Sequence, residues 1–493
     1  MAAHSMGLVS IEIEKVPFHI HRGPLLEMLE AFRTPTLSGF LERGGYHPIR
    51  PLLERGGGHL AIRRLEDAGL RGRAGGGFPT GHKWWLVAQK EVETKFLVCN
   101  ANTGQAGDFK TRTLLSTSPH LVIEAMMHAA LAAGVTEAFL CLPSELMAEA
   151  ELLKAAVSQA RAAGYLGPGI FQTDRALEIH VVRTAGRFLD GEETALLEQL
   201  EGRPGQPRRQ PARPTRAGLF GKPTIVNNLE TLLQAALINR EGAAAFRALG
   251  SQDAPGTMVF CLSGDIVRPG LYELPLGTPL RTLIEEHGGG PEDGVRLRGI
   301  HPGGVSSPVL TAEMFDVSLD FEALRAVGSD IGSGTVIAFS DAHDTVQLTT
   351  RLAEVFQDAS CGKCAPCFDG TRRVVTMLYN LDRLDEKSID VASAVESPKS
   401  MRSVNRSSDM PVRGVSYTDM SKGLTKIDDF CEFFKYRGDC RFSRAAGEVV
   451  QRNLQAFRAD FEAYGHHEPR IEGLEFLERR PIAAQTEPGE LRE

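Results

Sequence analysis

The densest chemistry in the chain lies at Ser360–Gly370, SCGKCAPCFDG, where Cys361, Cys364 and Cys367 stand two residues apart. Three thiolates at this pitch can wrap one face of a cubane iron–sulfur cluster, with Gly362 and Pro366 letting the loop curl around it. Such a cluster takes a fourth ligand, and either Cys440, in RGDCRF, or Cys431, in DFCEF, can supply it. The same spacing also suits a structural zinc ion held by three or four thiolates. A purely packing role is disfavoured, because three free thiols this close are an oxidation hazard. Cys99, Cys141 and Cys261 fall in apolar strand-like runs and read as small core residues.

A second concentration is glycine. Leu70–Trp85, LRGRAGGGFPTGHKWW, holds five glycines in sixteen residues. No Gly-Lys-Ser/Thr closes it, so it is not a P-loop, and it lacks the helix-opening third glycine of the dinucleotide fingerprint. Loops of this kind present backbone N–H groups to phosphates and flat rings. Within it Arg73 and Lys83 are either surface charges or phosphate partners, and Phe78 and Trp84 either core residues or stacking platforms. Further on, Glu192 and Glu193 open a helix and complement its dipole, and Asn227 and Asn228 suit a helix cap. Their co-occurrence, more than any one of them, points to a site.

The elements that must position these residues follow from periodicity. At 493 residues the chain has room for roughly three domains. Residues 1–60 read as an N-terminal extension with a short strand (Leu8–Ile13), a helix (Pro24–Phe32) and a turn-rich stretch (Gly44–Gly58). Residues 61–250 alternate strands (Lys95–Asn100, Glu137–Leu142, Leu177–Val182) with helices (Pro119–Ala133, Ser144–Ala163, Asn227–Asn239), which implies βα units and a Rossmann-like parallel sheet. Residues 203–226 read as loop, rich in Pro, Arg and Gly. Residues 251–345 suggest a small β-grasp-like α+β domain, with strands at Met258–Leu262 and Gly270–Glu273. Residues 346–480 read as a helical bundle around the cysteines, with helices at Gln347–Gln357, Thr371–Leu381 and Lys426–Tyr464. It is interrupted by a polar insertion at 385–423, and 481–493 reads as a tail. The fold class is therefore α/β, followed by the β-grasp-like domain and the helical domain.

A net charge of −8 argues against a nucleic-acid partner. No apolar run reaches the roughly 18 residues of a membrane span, and no basic-then-apolar leader opens the chain. Together with clustered thiols, this predicts a cytoplasmic protein without direct membrane insertion, or one peripheral on the cytoplasmic side of a membrane complex.

In order along the chain, Leu70–Trp84, Asn100–Arg112, Gly191–Leu196, Gly218–Thr231 and Ser360–Gly370 resemble the NADH-binding flavoprotein subunit of respiratory complex I. Diaphorase subunits of NAD-reducing hydrogenases and formate dehydrogenases belong to the same family. The similarity covers roughly residues 55–465, and GLFGKPTIVNNLETL and SCGKCAPC are its most specific parts. The resemblance implies one FMN, one [4Fe–4S] cluster and an NAD(P)H dehydrogenase (diaphorase) activity, in which hydride passes from NADH or NADPH to FMN and electrons leave singly. It makes Gly72, Arg73, Gly75 and Gly77 the flavin cradle with Lys83 beside it. Asn100, Asn227 and Asn228 are then expected to hydrogen-bond the flavin, with Glu192 at its edge. Phe78 is expected to stack on the nucleotide and Glu193 to touch its ribose or carboxamide. The resemblance also selects Cys440 as fourth ligand beside Cys361, Cys364 and Cys367. Implied partners are a small thioredoxin-like [2Fe–2S] subunit and a larger iron–sulfur or metal-containing subunit.

The chain departs from the family at three places. The acidic loop beside the flavin reads NANTGQAGDF, with Asn102, Thr103 and Gln105 in place of carboxylates. Phe188 and Asp190 replace a tyrosine and a cysteine, and Gln210-Pro-Ala-Arg213-Pro replaces Lys-Pro-Pro-Phe-Pro. Fewer carboxylates favour reduced, anionic flavin and raise its potential. Five arginines at 203, 208, 209, 213 and 216 serve either the 2′-phosphate of NADPH or a solvated loop. An alternative reading keeps both cofactors, drops the pyridine nucleotide and makes the chain a relay fed by another protein.

Overall fold

The computed structural model describes residues 19–102, 104–209, 211–381 and 420–464. Its strands in chain order are β1 (His19–His21), β2 (Phe96–Asn100), β3 (Glu137–Pro143), β4 (Gly167–Pro168), β5 (Ala176–Thr184) and β6 (Thr224–Asn228). They continue with β7 (Thr257–Gly264), β8 (Gly270–Pro275), β9 (Leu297–His301), β10 (Leu310–Thr311) and β11 (Thr335–Ser340).

The first sheet runs β4-β5-β3-β2-β6, with β5, β3, β2 and β6 all parallel. Its central strands are continuous apolar runs, as expected where helices cover both faces. Helix Pro119–Ala133 is buried along its whole length. It begins at a proline, whose missing N–H would be unpaired there anyway, and stops at Gly134, whose φ of +70° only glycine adopts freely. Helix Leu229–Glu241 is buried from Leu229 to Asn239. Residues 224–226, expected to be loop, are instead strand β6 beside β2. A short buried run, Thr224–Asn227, suffices because β2 already offers it an edge.

The second sheet runs β1-β8-β7-β11-β9-β10 and carries a π-helical turn at Thr282–His287. Strand β1 pairs parallel with β8, while Leu25, Leu29, Phe40 and Ile49 pack into the core of the first sheet's domain. Residues 19–60 therefore contribute to both layers. The stretch expected to be turn-rich holds short helical segments, His47–Ile49 and Arg50–Leu53, and the next helix starts at Gly57. The strand expected at Leu8–Ile13, the tail and residues 385–419 of the polar insertion lie outside the described residues.

The last domain packs helices Thr345–Ala359, Ala365–Tyr379, Met420–Arg437 and Arg441–Ala456 around Leu352, Phe356, Leu378, Leu424, Phe434 and Val449. The second of these was expected from Thr371 and begins six residues earlier, inside the cysteine motif, where Pro366 fits the first turn. No helix among the described residues is long and apolar enough to cross a membrane.

Candidate functional site

From β2 the chain moves outward through β3 to β5, then returns to lay β6 on the other side of β2. That reversal is a topological switch point, and open α/β sheets bind ligands outside the carboxyl ends of the strands at such a point. Asn100, the last residue of β2, is in register with Asn228, the last of β6. The sheet alone therefore brings together two of the expected flavin-binding residues.

The glycine loop meets the same edge. Lys83 Nζ donates to the Val226 carbonyl (2.9 Å) and Trp84 Nε1 to Asn227 Oδ1 (2.9 Å). Gly72 N–H donates to Phe78 O (3.0 Å), closing the loop, and Gly75 sits at φ +80° against the backbone of Gly332. Gly77 sits at φ +60°, where a Cβ would lie 2.9 Å from the Arg71 guanidinium. Arg71 also pairs with Glu322, and Arg325 donates to Gly75 O, so the second domain grips the loop from behind.

Arg73 corrects the expectation drawn from its neighbours. It is fully buried, and its guanidinium donates to the carbonyls of Arg71, Pro255 and Thr257. Only its backbone belongs to the loop. Asn100 likewise ties protein to protein: Nδ2 donates to Gly191 O (2.8 Å) and Oδ1 accepts from Asn102 N–H (3.1 Å). It thereby fixes the turn before Glu192. Asn228 Oδ1 caps the following helix through Glu230 N–H (3.0 Å).

Glu192 caps the helix Glu193–Leu200, accepting from Ala195 N–H (2.7 Å) and the Thr194 hydroxyl (2.6 Å). Glu193 is half-buried beside Lys83, and burial raises its pKa while Lys83 and Arg441 pull it down. Burial lowers the Lys83 pKa and Glu193 opposes that. The Lys83 ammonium stands 5.9 Å from the Phe78 ring. Asn102 is buried, with Oδ1 accepting from Thr184 Oγ1 and Nδ2 without a partner among the described residues. Gln105 does not face this group, because its Nε2 donates to Gly303 O (2.7 Å) in the second domain. Of the five arginines, Arg203 and Arg208 pair with Glu198 and Glu201, and Arg209 with Asp439. Thr103 and Gln210 lie outside the described residues.

The cysteines gather where two helices begin. Cys364 and Cys440 are the N-cap residues of Ala365–Tyr379 and Arg441–Ala456. Burial raises the Cys440 pKa, the nearby N–H groups of Ser443 and Phe442 pull it down, and Cys361 and Cys364 push it up. Cys367 feels Cys364 and Cys440, lies 3.7 Å from Ser360 Oγ, and is pushed up to about 12 by burial. Cys431 faces Asp428, Glu432 and Lys435 instead. Among the described residues no three thiols converge closely enough to hold a single metal ion, but the four lie within electrostatic reach of one another, and a four-thiolate set is the ligand chemistry of an iron–sulfur cluster.

Comparison with known proteins agrees with this geometry. Residues 65–236 match the Nuo51 FMN-binding domain, 259–310 the SLBB domain, and 347–408 the NADH-ubiquinone oxidoreductase-F iron-sulfur binding region. The NADH-quinone oxidoreductase F subunit of Streptomyces coelicolor is 40% identical over 87% of this chain and 88% of its own length. The chain belongs to the NADH-quinone oxidoreductase F-subunit family. The Escherichia coli member is 35% identical over 75% of this chain and 83% of its own. A crystal structure of an NAD+-reducing [NiFe]-hydrogenase in the H2-reduced state superposes with a TM-score of 0.74. It is 30% identical and covers 91% of this chain and 68% of that one.

As a member of this family the chain has an FMN domain, and the residues at its sheet edge fit that group. The orphaned Asn102 amide, the Lys83 ammonium and the left-handed glycines offer a donor, a cation and bare backbone in one place. Sequence reading missed Arg441, whose charge reaches Glu193, and the contacts of Gln206 and Pro207 with the cysteine loop. Adjacency of Arg441 to Cys440 was the one available signal.

Proposed function

We propose that this chain takes electrons in pairs from NADH and passes them on singly, as the FMN- and [4Fe–4S]-bearing subunit of a larger oxidoreductase. FMN, when bound, supplies the exchange between two-electron and one-electron chemistry, and the cluster supplies the single-electron outlet. The observation that carries this reading is the meeting of Asn100, Asn228, Lys83 and Glu193 at the switch point in a chain whose cysteines gather in the adjoining domain.

In this reading Gly72, Gly75 and Gly77 offer backbone to the flavin nucleotide, and Lys83 neutralises its negative charge. Asn102, Asn227 and Asn228 edge the flavin, while Asn100 holds the Glu192 turn in place. Phe78 and Glu193 meet the incoming nucleotide, and proximity replaces acid–base catalysis by the protein. Cys361, Cys364, Cys367 and Cys440 bind the cluster. The matched relatives are subunits of oxidoreductases, and the partners that suit this chain are a thioredoxin-like [2Fe–2S] subunit and a larger iron–sulfur or metal-containing subunit. Its place is the cytoplasm, at the edge of such an assembly.

One observation favours the relay reading: Gln105, Arg203, Arg208 and Arg209 are all engaged within the protein, which leaves few contacts for a dinucleotide. Anaerobic titration of the cofactor-loaded chain with NADH and with NADPH decides between them. Bleaching of the flavin bands by NADH supports the proposal. Intact bands with both nucleotides, reducible by dithionite, support the relay, and a spectrum without flavin overturns both.

A further inference from the structure

We infer that residues 206–209 form a strap that positions the cysteine loop and sets the reduction potential of the cluster it holds. This rests on the proposed role of the four cysteines as iron ligands.

The base of the strap is fixed to the flavin domain. Arg208 N–H donates to Thr194 Oγ1 (2.9 Å), whose own hydroxyl proton goes to Glu192 Oε2 (2.6 Å). The Arg208 guanidinium donates to the Gly218 carbonyl (3.1 Å) and pairs with Glu198 and Glu201. Its tip lies on both cysteine-bearing segments. Gln206 Nε2 donates to Cys361 O (3.1 Å), Lys363 Nζ donates to Pro207 O (2.6 Å), and Arg209 pairs with Asp439 (3.3 Å), the residue before Cys440. Three side-chain contacts thus join the strap and the two cysteine-bearing segments to the turn that begins the flavin-edge helix.

The electrostatic consequence is specific. The Arg209 charge is balanced by Asp439, but among the described residues the Lys363 ammonium meets only a neutral carbonyl. A lysine between Gly362 and Cys364 would otherwise extend into water, where its field is screened. Lys363 is exposed as a residue, but its ammonium is tied to Pro207 O, on the strap that also meets Cys361 O. A cation held there favours the more negative, reduced form of a cluster on these cysteines. The strap also turns the Cys361 carbonyl dipole toward Gln206.

The test uses the full chain reconstituted with FMN, iron and sulfide, and reads the cluster by EPR-monitored redox titration. Lys363→Met is expected to disfavour cluster reduction at least tenfold, which is about 59 mV downward for one electron. Lys363→Arg is expected to restore most of the potential. Gln206→Ala is expected to shift it in the same direction by less. The double variant Gln206→Ala/Lys363→Met is expected to fall short of the sum, since both act through one strap. Iron content and flavin potential stay at wild-type values in each. A cluster formed in all variants with unchanged potential and line shape overturns the inference. A shift in Lys363→Met that Lys363→Arg does not restore overturns it too, because charge would not be the cause. If the wild-type chain itself shows no cluster signal, the assignment of the four cysteines fails first and the strap with it.

Discussion

Lys83→Met separates the binding role of this side chain from its role in holding the fold. One of the three N–H donors of Lys83 goes to Val226 O, and the other two have no acceptor among the described residues. Methionine keeps the length and packing of the stem without the charge. For the empty protein the change removes one hydrogen bond and relieves the burial of an ammonium, so stability should move by less than about 1.5 kcal/mol. For an anionic ligand at the switch point it removes a charged hydrogen bond worth about 1.5–3 kcal/mol. At 1.4 kcal/mol per tenfold, the FMN dissociation constant should rise roughly 10- to 150-fold. A second signature comes from Glu193, which burial raises and Lys83 pulls down. Without Lys83 its pKa rises further, so it protonates at higher pH. Nucleotide binding that needs the carboxylate is then lost earlier as pH falls. Flavin fluorescence on release gives the first quantity, and nucleotide affinity against pH the second. A flavin affinity changed by less than roughly threefold, about 0.6 kcal/mol, together with a lowered melting temperature, would show that Lys83 is a strut and refute the reasoning.

Two further outcomes follow from the buried groups. Cys440→Ser should abolish most of the reduced-cluster EPR signal and lower bound iron, whereas Cys431→Ser should leave both, because Cys431 faces Asp428, Glu432 and Lys435; the reverse result reassigns the fourth ligand. His301 is buried against Phe339 with Nδ1 on Ser307 O (2.7 Å) and Nε2 unpartnered among the described residues, and burial lowers its pKa to about 4. The unfolded chain takes up the proton near pH 6.5 and the folded chain refuses it until about pH 4. Stability is therefore full above the first value and falls by about 3 kcal/mol towards the second, at 1.36 kcal/mol per pH unit. Urea midpoints at neutral and acid pH should show this fall in the wild type and a flatter acid limb in His301→Phe; identical acid limbs would rule His301 out as the cause.

What the sequence made legible is local. The Pro119 start and Gly134 stop bound helix Pro119–Ala133 as expected, β2 and β3 announce themselves as apolar runs, and β5 as an alternating one. Strand β6 was hidden because its three residues before the asparagines, Thr224-Ile225-Val226, follow directly on loop chemistry, and Asn227, though buried, reads as polar. Arg73 was misread for a different reason. Beside glycines it looks ligand-facing, but two of the three carbonyls that take its guanidinium lie more than 180 residues away in sequence. Gln105 and Gly303 are 198 residues apart. Polar pairs at that separation leave no periodic trace, and they decide which side chains of a motif remain free for a ligand.

The two asparagines at the switch point show why this site and this fold are hard to separate. Asn228 ends β6, pairs in register with Asn100 and caps the helix that follows. Asn100 ends β2 and holds the turn that delivers Glu192 and Glu193. A substitution at either place loosens a strand end and a helix start before it touches any ligand. The residues free to vary are those whose polar atoms are not all engaged in the fold, Lys83, Glu193, Asn102 and Arg441. The departures from the family divide along this line. Gln105 and Asp190 are engaged internally, so their replacement alters how the domains and turns are held together. Asn102 keeps a buried amide nitrogen without a partner among the described residues, so in the proposed flavin site its replacement would act on the ligand. A carboxylate there could only accept, whereas the amide nitrogen can only donate. In the proposed site, that donor would stabilise negative charge on the flavin, in the same direction as a raised flavin potential.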